Sequence, residues 1–107
     1  MCVFGTRPEA IKVAPIILAA QKRRDIEVIA CSTGQHREML DQVTQHFGIR
    51  PDIELGLMQP GQTLTSLTSK CLTALGNAVE KYRPDCILGQ GDTTSAMCAG
   101  MVAFYQR

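Results

Sequence analysis

The 107-residue sequence has little of what marks several large classes of protein. It has no tryptophan, and aromatic residues make up 5% of the chain, which leaves few rings on which nucleic-acid bases would stack. The formal net charge is +1, so no strongly basic surface indicates a nucleic-acid partner. No apolar run is long enough to cross a bilayer, and no signal-peptide pattern precedes the first apolar segment. We therefore expect a cytoplasmic protein with neither a nucleic-acid nor a membrane partner.

Motifs for metal binding and for common nucleotide sites are missing as well. The five cysteines are widely spaced without a C-x-x-C pair, and the two histidines complete no metal-ligand pattern. Neither G-x-G-x-x-G nor G-x-x-x-x-G-K occurs. We expect no metal and no cofactor. We interpret all five cysteines as reduced packing residues, because Cys2, Cys31 and Cys86 lie in apolar segments where cysteine behaves as a small hydrophobic residue.

What the sequence does contain is a strict alternation of strand-like and helix-like segments. Short apolar runs predict strands, the third of them weakly marked, at residues 1–4, 26–33, 52–57 and 86–88. Apolar residues at helical spacing predict helices over residues 39–47, 64–82 and 93–106. The first helix contains Pro15, which predicts either a kink or a break into residues 8–13 and 14–23.

This alternation predicts the fold class. Uniformly apolar strands separated by helices are typical of an α/β protein with a Rossmann-like, doubly wound parallel sheet and helices on both faces. Right-handed crossovers favour the strand order 3-2-1-4. In that order the first and fourth strands are neighbours, and the helices that follow them leave on opposite faces. The crevice at the carboxyl ends of these two strands is the usual ligand site.

Two charged, glycine-containing loops, residues 5–9 and 89–92, open into this crevice. Pro8 disfavours helical geometry at Arg7, so Arg7 is the preferred N-cap of the first helix. The alternative is Thr6 as the N-cap, with Glu9 completing a capping box. Either way the helix N-terminus favours an anion.

The cations of the first loop allow a functional and a structural interpretation. Arg7 has the planar fork that binds phosphate oxygens, and Lys12 lies about one turn further along the helix. The structural alternative is that Lys12 pairs with Glu9 on the surface and that Arg7 is a solvated loop charge.

The carboxylate of the second loop also has two interpretations. Asp92 precedes the last predicted helix, where aspartate is a good N-cap. Held opposite Arg7 and Lys12, it would instead accept sugar hydroxyls or a proton. The geometry of the crevice favours both roles together.

Motifs along essentially the whole chain resemble those of the non-hydrolysing UDP-N-acetylglucosamine 2-epimerases of bacteria. In order, they are GTRPEAIKVAP, TGQHREMLDQV, FGIRPDIELGLM, PGQTL, KYRPD and GQGDTTSA…AFYQR. The resemblance implies a glycosyltransferase-B-like fold of two Rossmann-type domains. Residues 1–107 would then be an incomplete N-terminal domain, without the nucleotide-binding C-terminal domain and the later catalytic residues, and inactive alone.

The resemblance also implies an activity. Family members interconvert UDP-N-acetylglucosamine and UDP-N-acetylmannosamine by eliminating UDP across C1–C2 and adding it back to 2-acetamidoglucal. By motif, Arg7 and Lys12 match substrate-site residues near the phosphates, with Gly5 and Thr6 in the same loop. Asp92 matches an active-site carboxylate, so Asp92, Arg7 and Lys12 are the predicted catalytic residues. The full-length protein is expected to be a homodimer. The alternatives are a sugar transferase of the same fold and a non-catalytic half-domain that binds nucleotide sugars.

The loop after the second strand carries a further prediction. Gln35, His36 and Arg37 could hydrogen-bond a ligand at the rim, whereas a histidine at a helix start is more often a capping or surface residue. The resemblance places Gln35, His36 and Glu38 where some members hold a second UDP-N-acetylglucosamine as an activator. Many members have histidine at the position of Gln90.

Overall fold

The computed structural model describes residues 1–34 and 37–106, and of Arg37 the backbone alone. Strands and helices alternate through these residues. In chain order they are β1 (Cys2–Phe4), α1 (Arg7–Gln21), β2 (Ala30–Ser32), α2 (Arg37–Phe47), β3 (Ile53–Glu54), α3 (Leu64–Tyr82), β4 (Leu88–Gly89) and α4 (Thr94–Gln106). Each predicted element is confirmed. The first three strands are shorter than predicted because each one extends only as far as its partner: β1 begins at Cys2, which pairs with Ala30. The fourth strand, predicted at residues 86–88, begins two residues later and includes Gly89.

The four strands form one parallel sheet in the order β3-β2-β1-β4, which confirms the predicted order. β1 is central and pairs with β2 on one side and β4 on the other. Because all strands run the same way, their carboxyl ends share one edge of the sheet. The loops that follow β1 and β4 are therefore neighbours in space.

Two apolar clusters cover the two faces of the sheet. Successive residues of a strand point to opposite faces, so Val3 joins one cluster while Cys2 and Phe4 join the other. Helices α3 and α4 complete the Val3 cluster, and α1 and α2 complete the Phe4 cluster. Fully burying a side chain as large as Phe4 contributes about 1.5–3 kcal/mol. Helices on both faces confirm the doubly wound arrangement.

Helix α1 runs through Pro15 from Arg7 to Gln21, so the predicted alternative of a break, into a short turn over 8–13 and a longer helix over 14–23, is wrong. Proline lacks the N–H that would bond the carbonyl of Ile11. Pro15 and Ile11 are both exposed, which lets water bond that carbonyl. The buried face of the helix contains Val13 and Ile17, and its packing against the sheet holds the helix together across the missing bond.

Helix α4 packs through small side chains, since the residues that it buries are Ser95, Cys98, Ala99 and Val102. Its large side chains face outward, with Phe104 63% and Tyr105 69% exposed. Small residues allow α4 to lie close to β1 and β4, and this close approach brings its N-terminus to the crevice. No helix in the described ranges combines the length and apolar character needed to cross a membrane.

The cysteines divide by burial. Four are buried, at positions 2, 31, 71 and 98, as expected of packing residues, whereas Cys86 is exposed, so the prediction is wrong for that residue. Cys86 lies just before the short strand β4 and outside its ladder. Burial raises the pKa of the Cys31 and Cys71 thiols to about 12. In residues 1–34 and 37–106, no three His, Cys, Asp or Glu side chains cluster as metal ligands would.

Candidate active site at the β1–β4 crevice

The β1–α1 loop is fixed by a carboxylate that returns to the start of its own helix. Thr6 is the N-cap of α1, and Glu9 Oε2 accepts hydrogen bonds from the N–H groups of Gly5 and Thr6, both at 2.8 Å. The Thr6 hydroxyl donates to the same oxygen at 3.0 Å. The prediction of Arg7 as the N-cap is therefore wrong, and the capping-box alternative is confirmed. These three bonds outweigh the bias that Pro8 imposes at Arg7.

Glu9 is an interior residue of the site. It is 2% exposed, while Lys12 is exposed, so the suggested surface pair between Glu9 and Lys12 is wrong. Its bonds also occupy the amides of Gly5 and Thr6, which immediately precede the first helical residue. Gly5 and Thr6 are buried and shape the loop, and the positive charge that faces solvent here comes from Arg7 and Lys12.

In the β4–α4 loop, Thr93 is the N-cap of α4, one residue later than predicted. The Thr93 hydroxyl accepts a hydrogen bond from the N–H of Ala96 at 3.2 Å, and its carbonyl accepts from the N–H of Met97 at 3.0 Å. Because α4 begins at Thr94, the residue before it takes the capping position, and the prediction of Asp92 as the N-cap is wrong. Asp92 is exposed in the loop.

The two loops are joined through Glu9. The hydroxyl of Thr93 donates a hydrogen bond to Glu9 Oε1, a contact between residues 84 positions apart in sequence. Gly91 has a φ of +99°, which favours glycine, and an added Cβ there would lie 3.6 Å from Glu9 Cγ. The second loop thus passes directly beside the carboxylate that caps α1.

A second contact ties the same region together. The side-chain oxygens of Thr33, after β2, and Ser95, in the first turn of α4, are hydrogen-bonded at 2.7 Å. Both approach Gly5 so closely that a Cβ added there would lie 2.1 Å from Thr33 Oγ1 and 2.3 Å from Ser95 Oγ. Glycine is therefore required at position 5 by close packing, although its backbone is not in the left-handed region.

The first loop also reaches the second from its exposed side. With the Gln90 amide oriented so that its oxygen accepts, Lys12 Nζ donates to it at 3.3 Å and the N–H of Gly91 donates at 3.3 Å. Lys12 therefore lies against the loop that carries Asp92. Arg7, Lys12 and Asp92 are all exposed at this edge of the sheet. Their predicted catalytic and binding roles stay predictions.

The third predicted region lies on the β2 side of the sheet. Gln35, His36 and the side chain of Arg37 lie outside what the structure describes. Glu38 is exposed in the first turn of α2, and no observation tests its proposed role in binding an activator. Beside α2 is a cleft of about 230 Å³, lined in part by Ser32, Asp41 and Glu54.

Comparison with known proteins assigns the family. The family model described as UDP-N-acetylglucosamine 2-epimerase matches residues 18–107. The chain belongs to this family. An epimerase of Neisseria meningitidis is 49% identical over all 107 residues, and one of Escherichia coli K12 is 50% identical over the same length. The chain spans 29% and 28% of those two relatives, less than a third of each.

Solved structures of the family have the same arrangement of strands and helices. The Neisseria meningitidis epimerase bound to UDP-GlcNAc matches 98% of this chain with a TM-score of 0.93 and 50% identity, over 28% of its own length. The Methanocaldococcus jannaschii epimerase in complex with UDP-GlcNAc and UDP matches 98% of the chain with a TM-score of 0.90 and 29% identity, over 29% of its own length. The predicted Rossmann-like α/β fold is confirmed, and these epimerases have a glycosyltransferase-B-like fold.

Sequence reasoning missed Glu9 as the residue that connects the two loops of the site. The sequence indicates a capping or surface role for Glu9 and no role for Thr93. The available signal was the capping box itself, because a glutamate at its third helical position points back toward the strand end. Once β4 is placed beside β1, the loop after β4 is the nearest source of a further donor.

Proposed function

We propose that residues 1–107 belong to an enzyme that interconverts UDP-N-acetylglucosamine and UDP-N-acetylmannosamine. The supporting observation is that the interlocked β1–α1 and β4–α4 loops carry two exposed cations and an exposed carboxylate at one edge of the sheet. Lys12 lies 3.3 Å from the Gln90 side chain, two residues before Asp92. Family membership supports the same activity, because the relatives are named as 2-epimerases.

The proposed chemistry explains why charges of both signs are needed. In the forward half-reaction, C2 loses its proton, the C1–oxygen bond to UDP breaks, and C1=C2 forms to give 2-acetamidoglucal. UDP then adds back at C1 while C2 is protonated on the other face. Negative charge develops on the departing phosphate oxygen, where Arg7 and Lys12 would stabilise it. Asp92 would face the sugar and accept its hydroxyls or a proton.

The rest of the proposal concerns the whole protein. We assign residues 1–107 to the N-terminal Rossmann-like domain of a glycosyltransferase-B-like enzyme, because the chain matches less than a third of its relatives. The uridine would be bound by a second domain, so these residues would not turn over substrate alone. The full-length enzyme would be a cytoplasmic homodimer, and Glu38, with Gln35 and His36, would contact an activating nucleotide sugar.

A chimera tests the proposal. Residues 1–107 replace the matching N-terminal segment of the Escherichia coli relative, to which they are 50% identical. The chimera is expected to form UDP-N-acetylmannosamine from UDP-N-acetylglucosamine, measured by chromatography, with the unaltered relative as the positive control. A folded, dimeric chimera without epimerisation would contradict the proposal. UDP release that requires an added sugar acceptor, with no epimer, would favour a sugar transferase instead.

A further inference from the structure

Glu9 makes more bonds than its capping role requires. Its Oε2 accepts the three bonds that define the start of α1, and its Oε1 accepts the hydroxyl of Thr93. All four groups are donors, which matches a carboxylate, whose oxygens only accept. A capping box needs only the bonds to Thr6, so the bond to Thr93 is additional.

The cap of α4 does not need this bond either. The Thr93 hydroxyl already accepts from the N–H of Ala96, and that contact completes the N-cap interaction within α4. The Glu9–Thr93 bond therefore belongs to neither helix. It joins the loop after the central strand to the loop after the terminal strand.

We propose that the Glu9–Thr93 hydrogen bond is a positioning device that sets Asp92 against Arg7 and Lys12. The inference rests on the epimerase function proposed above and adds two positioning residues to it. Asp92 immediately precedes Thr93 in the chain, and Arg7 and Lys12 lie on the helix that Glu9 caps. Fixing the distance between Glu9 and Thr93 thus limits how far the carboxylate can move from the cations.

Precise spacing is required because the cations and the carboxylate act on different parts of one substrate. The cations would contact the pyrophosphate and Asp92 the sugar, so a shift of one loop misplaces one group without removing the other. A displacement of about 1 Å can lower a rate about 100-fold. Such a shift affects the transition state more than the binding of UDP, which would depend on the second domain together with Arg7 and Lys12 and not on Asp92.

Substitutions at Thr93 separate the positioning role from helix capping. Thr93→Asp keeps an excellent N-cap for α4 but, while ionised, has no proton to donate to the Glu9 carboxylate and is repelled by it. Thr93→Asn keeps the cap and supplies an N–H donor, so it is the matched control. The double variant Glu9→Gln with Thr93→Asp reverses donor and acceptor. The Gln oxygen still accepts from Gly5 and Thr6, while its NH2 group donates to the new carboxylate.

The measurements are kcat, KM and UDP affinity in the chimera. Thr93→Asp is expected to lower kcat by about tenfold or more while UDP affinity by calorimetry stays within about twofold. Thr93→Asn and the double variant are expected to recover most of the lost kcat. Val79→Ala is the destabilising control, because Val79 is buried in the Val3 cluster and lies with Cys86 at the opposite edge of the sheet. It should lower the melting temperature without changing kcat.

The same measurements separate an error in the positioning role of the Glu9–Thr93 bond from an error in the proposed epimerase function. If the unsubstituted chimera epimerises and Thr93→Asp keeps its kcat within about twofold, the positioning role is wrong and the proposed function stands. A double variant no more active than Thr93→Asp alone also overturns the positioning role, because a restored bond would then restore nothing. An unsubstituted chimera without epimerase activity overturns the function and the inference together.

Discussion

The loops after β1 and β4 lie at the same edge of the sheet but are built differently. The β1–α1 loop is largely interior, with Gly5, Thr6 and Glu9 buried, whereas Gly91 and Asp92 of the β4–α4 loop are exposed. The first loop follows a strand that is paired on both sides, and the second follows β4, which lies at one end of the order β3-β2-β1-β4. The first loop is therefore held by hydrogen bonds within itself, whereas the second is tied to the first by the bond between Thr93 and Glu9.

The largest expected effect comes from the exposed loop. Asp92→Asn should lower epimerisation by the chimera about 100-fold or more, because it removes a carboxylate that would accept a proton or sugar hydroxyls. The melting temperature should change little, since the side chain is exposed. The matched control is Asp85→Asn, an exposed aspartate before β4 that lines the cleft at the opposite edge. Equal losses in the two variants would contradict a role for Asp92.

A substitution in the buried β1–α1 loop should lower the stability of the protein, whereas Asp92→Asn lowers its activity. Gly5→Ala should destabilise the protein by about 2–3 kcal/mol, because its Cβ would overlap two hydroxyls that are bonded to each other. Those oxygens, of Thr33 and Ser95, would lie 2.1 Å and 2.3 Å from the new atom. The measurement is the urea midpoint of the chimera.

Gly76→Ala is the control for this substitution. An added Cβ at Gly76, in α3, meets nothing within 4 Å. Alanine should therefore stabilise the helix by about 0.5–1 kcal/mol. If both glycine substitutions changed stability alike, the close packing at position 5 would not be the cause.

A smaller effect is expected from the cation that bridges the two loops. Lys12→Met should weaken UDP binding by the chimera about tenfold, because it removes a positive charge from the proposed phosphate site. The comparison variant is Lys22→Met, an exposed lysine at the other end of α1. Calorimetry with UDP measures both, and an unchanged affinity in Lys12→Met would remove Lys12 from the phosphate site.

The smallest expected effect is a pH dependence of stability that comes from buried cysteine thiols and not from an exposed one. Burial raises the pKa of Cys31 and Cys71 from the usual 9.0 to about 12, so the folded protein keeps these thiols protonated where the unfolded chain ionises. Their contribution to stability is fully present below pH 9 and is lost as the pH rises toward 12. Urea midpoints at increasing pH should therefore fall above pH 9. A Cys86→Ser variant, altered at the exposed thiol, should show the same fall.

Much of the fold was predictable because its signals are local. The apolar spacing of residues 64–82 predicted α3 with both of its ends, and the alternation of elements predicted the order β3-β2-β1-β4. The errors occurred where a local preference met a tertiary contact. Pro15 did not break α1, because the apolar face of the helix packs against the sheet and the residues around the missing bond face solvent.

The site was predicted in outline and missed in its internal contacts. The crevice and its two loops followed from strand order, and the structure brings Lys12 to the second loop as expected. The caps were assigned one residue away from Thr6 and Thr93, in opposite directions. Capping depends on where a helix begins, and packing against the strand end decides that position to within one residue.

The amino-acid sequence by itself determined the elements, their parallel order and the edge at which the charged loops meet, because periodicity and chain connectivity are properties of the chain alone. Only the tertiary structure decided that Glu9 would be buried and bonded to a residue 84 positions away. A hydrogen bond tolerates a variation of only a few tenths of an ångström in the distance between donor and acceptor. Such a distance between two loops is set by the packing of β1, β4 and α4 together, and no local pattern encodes it.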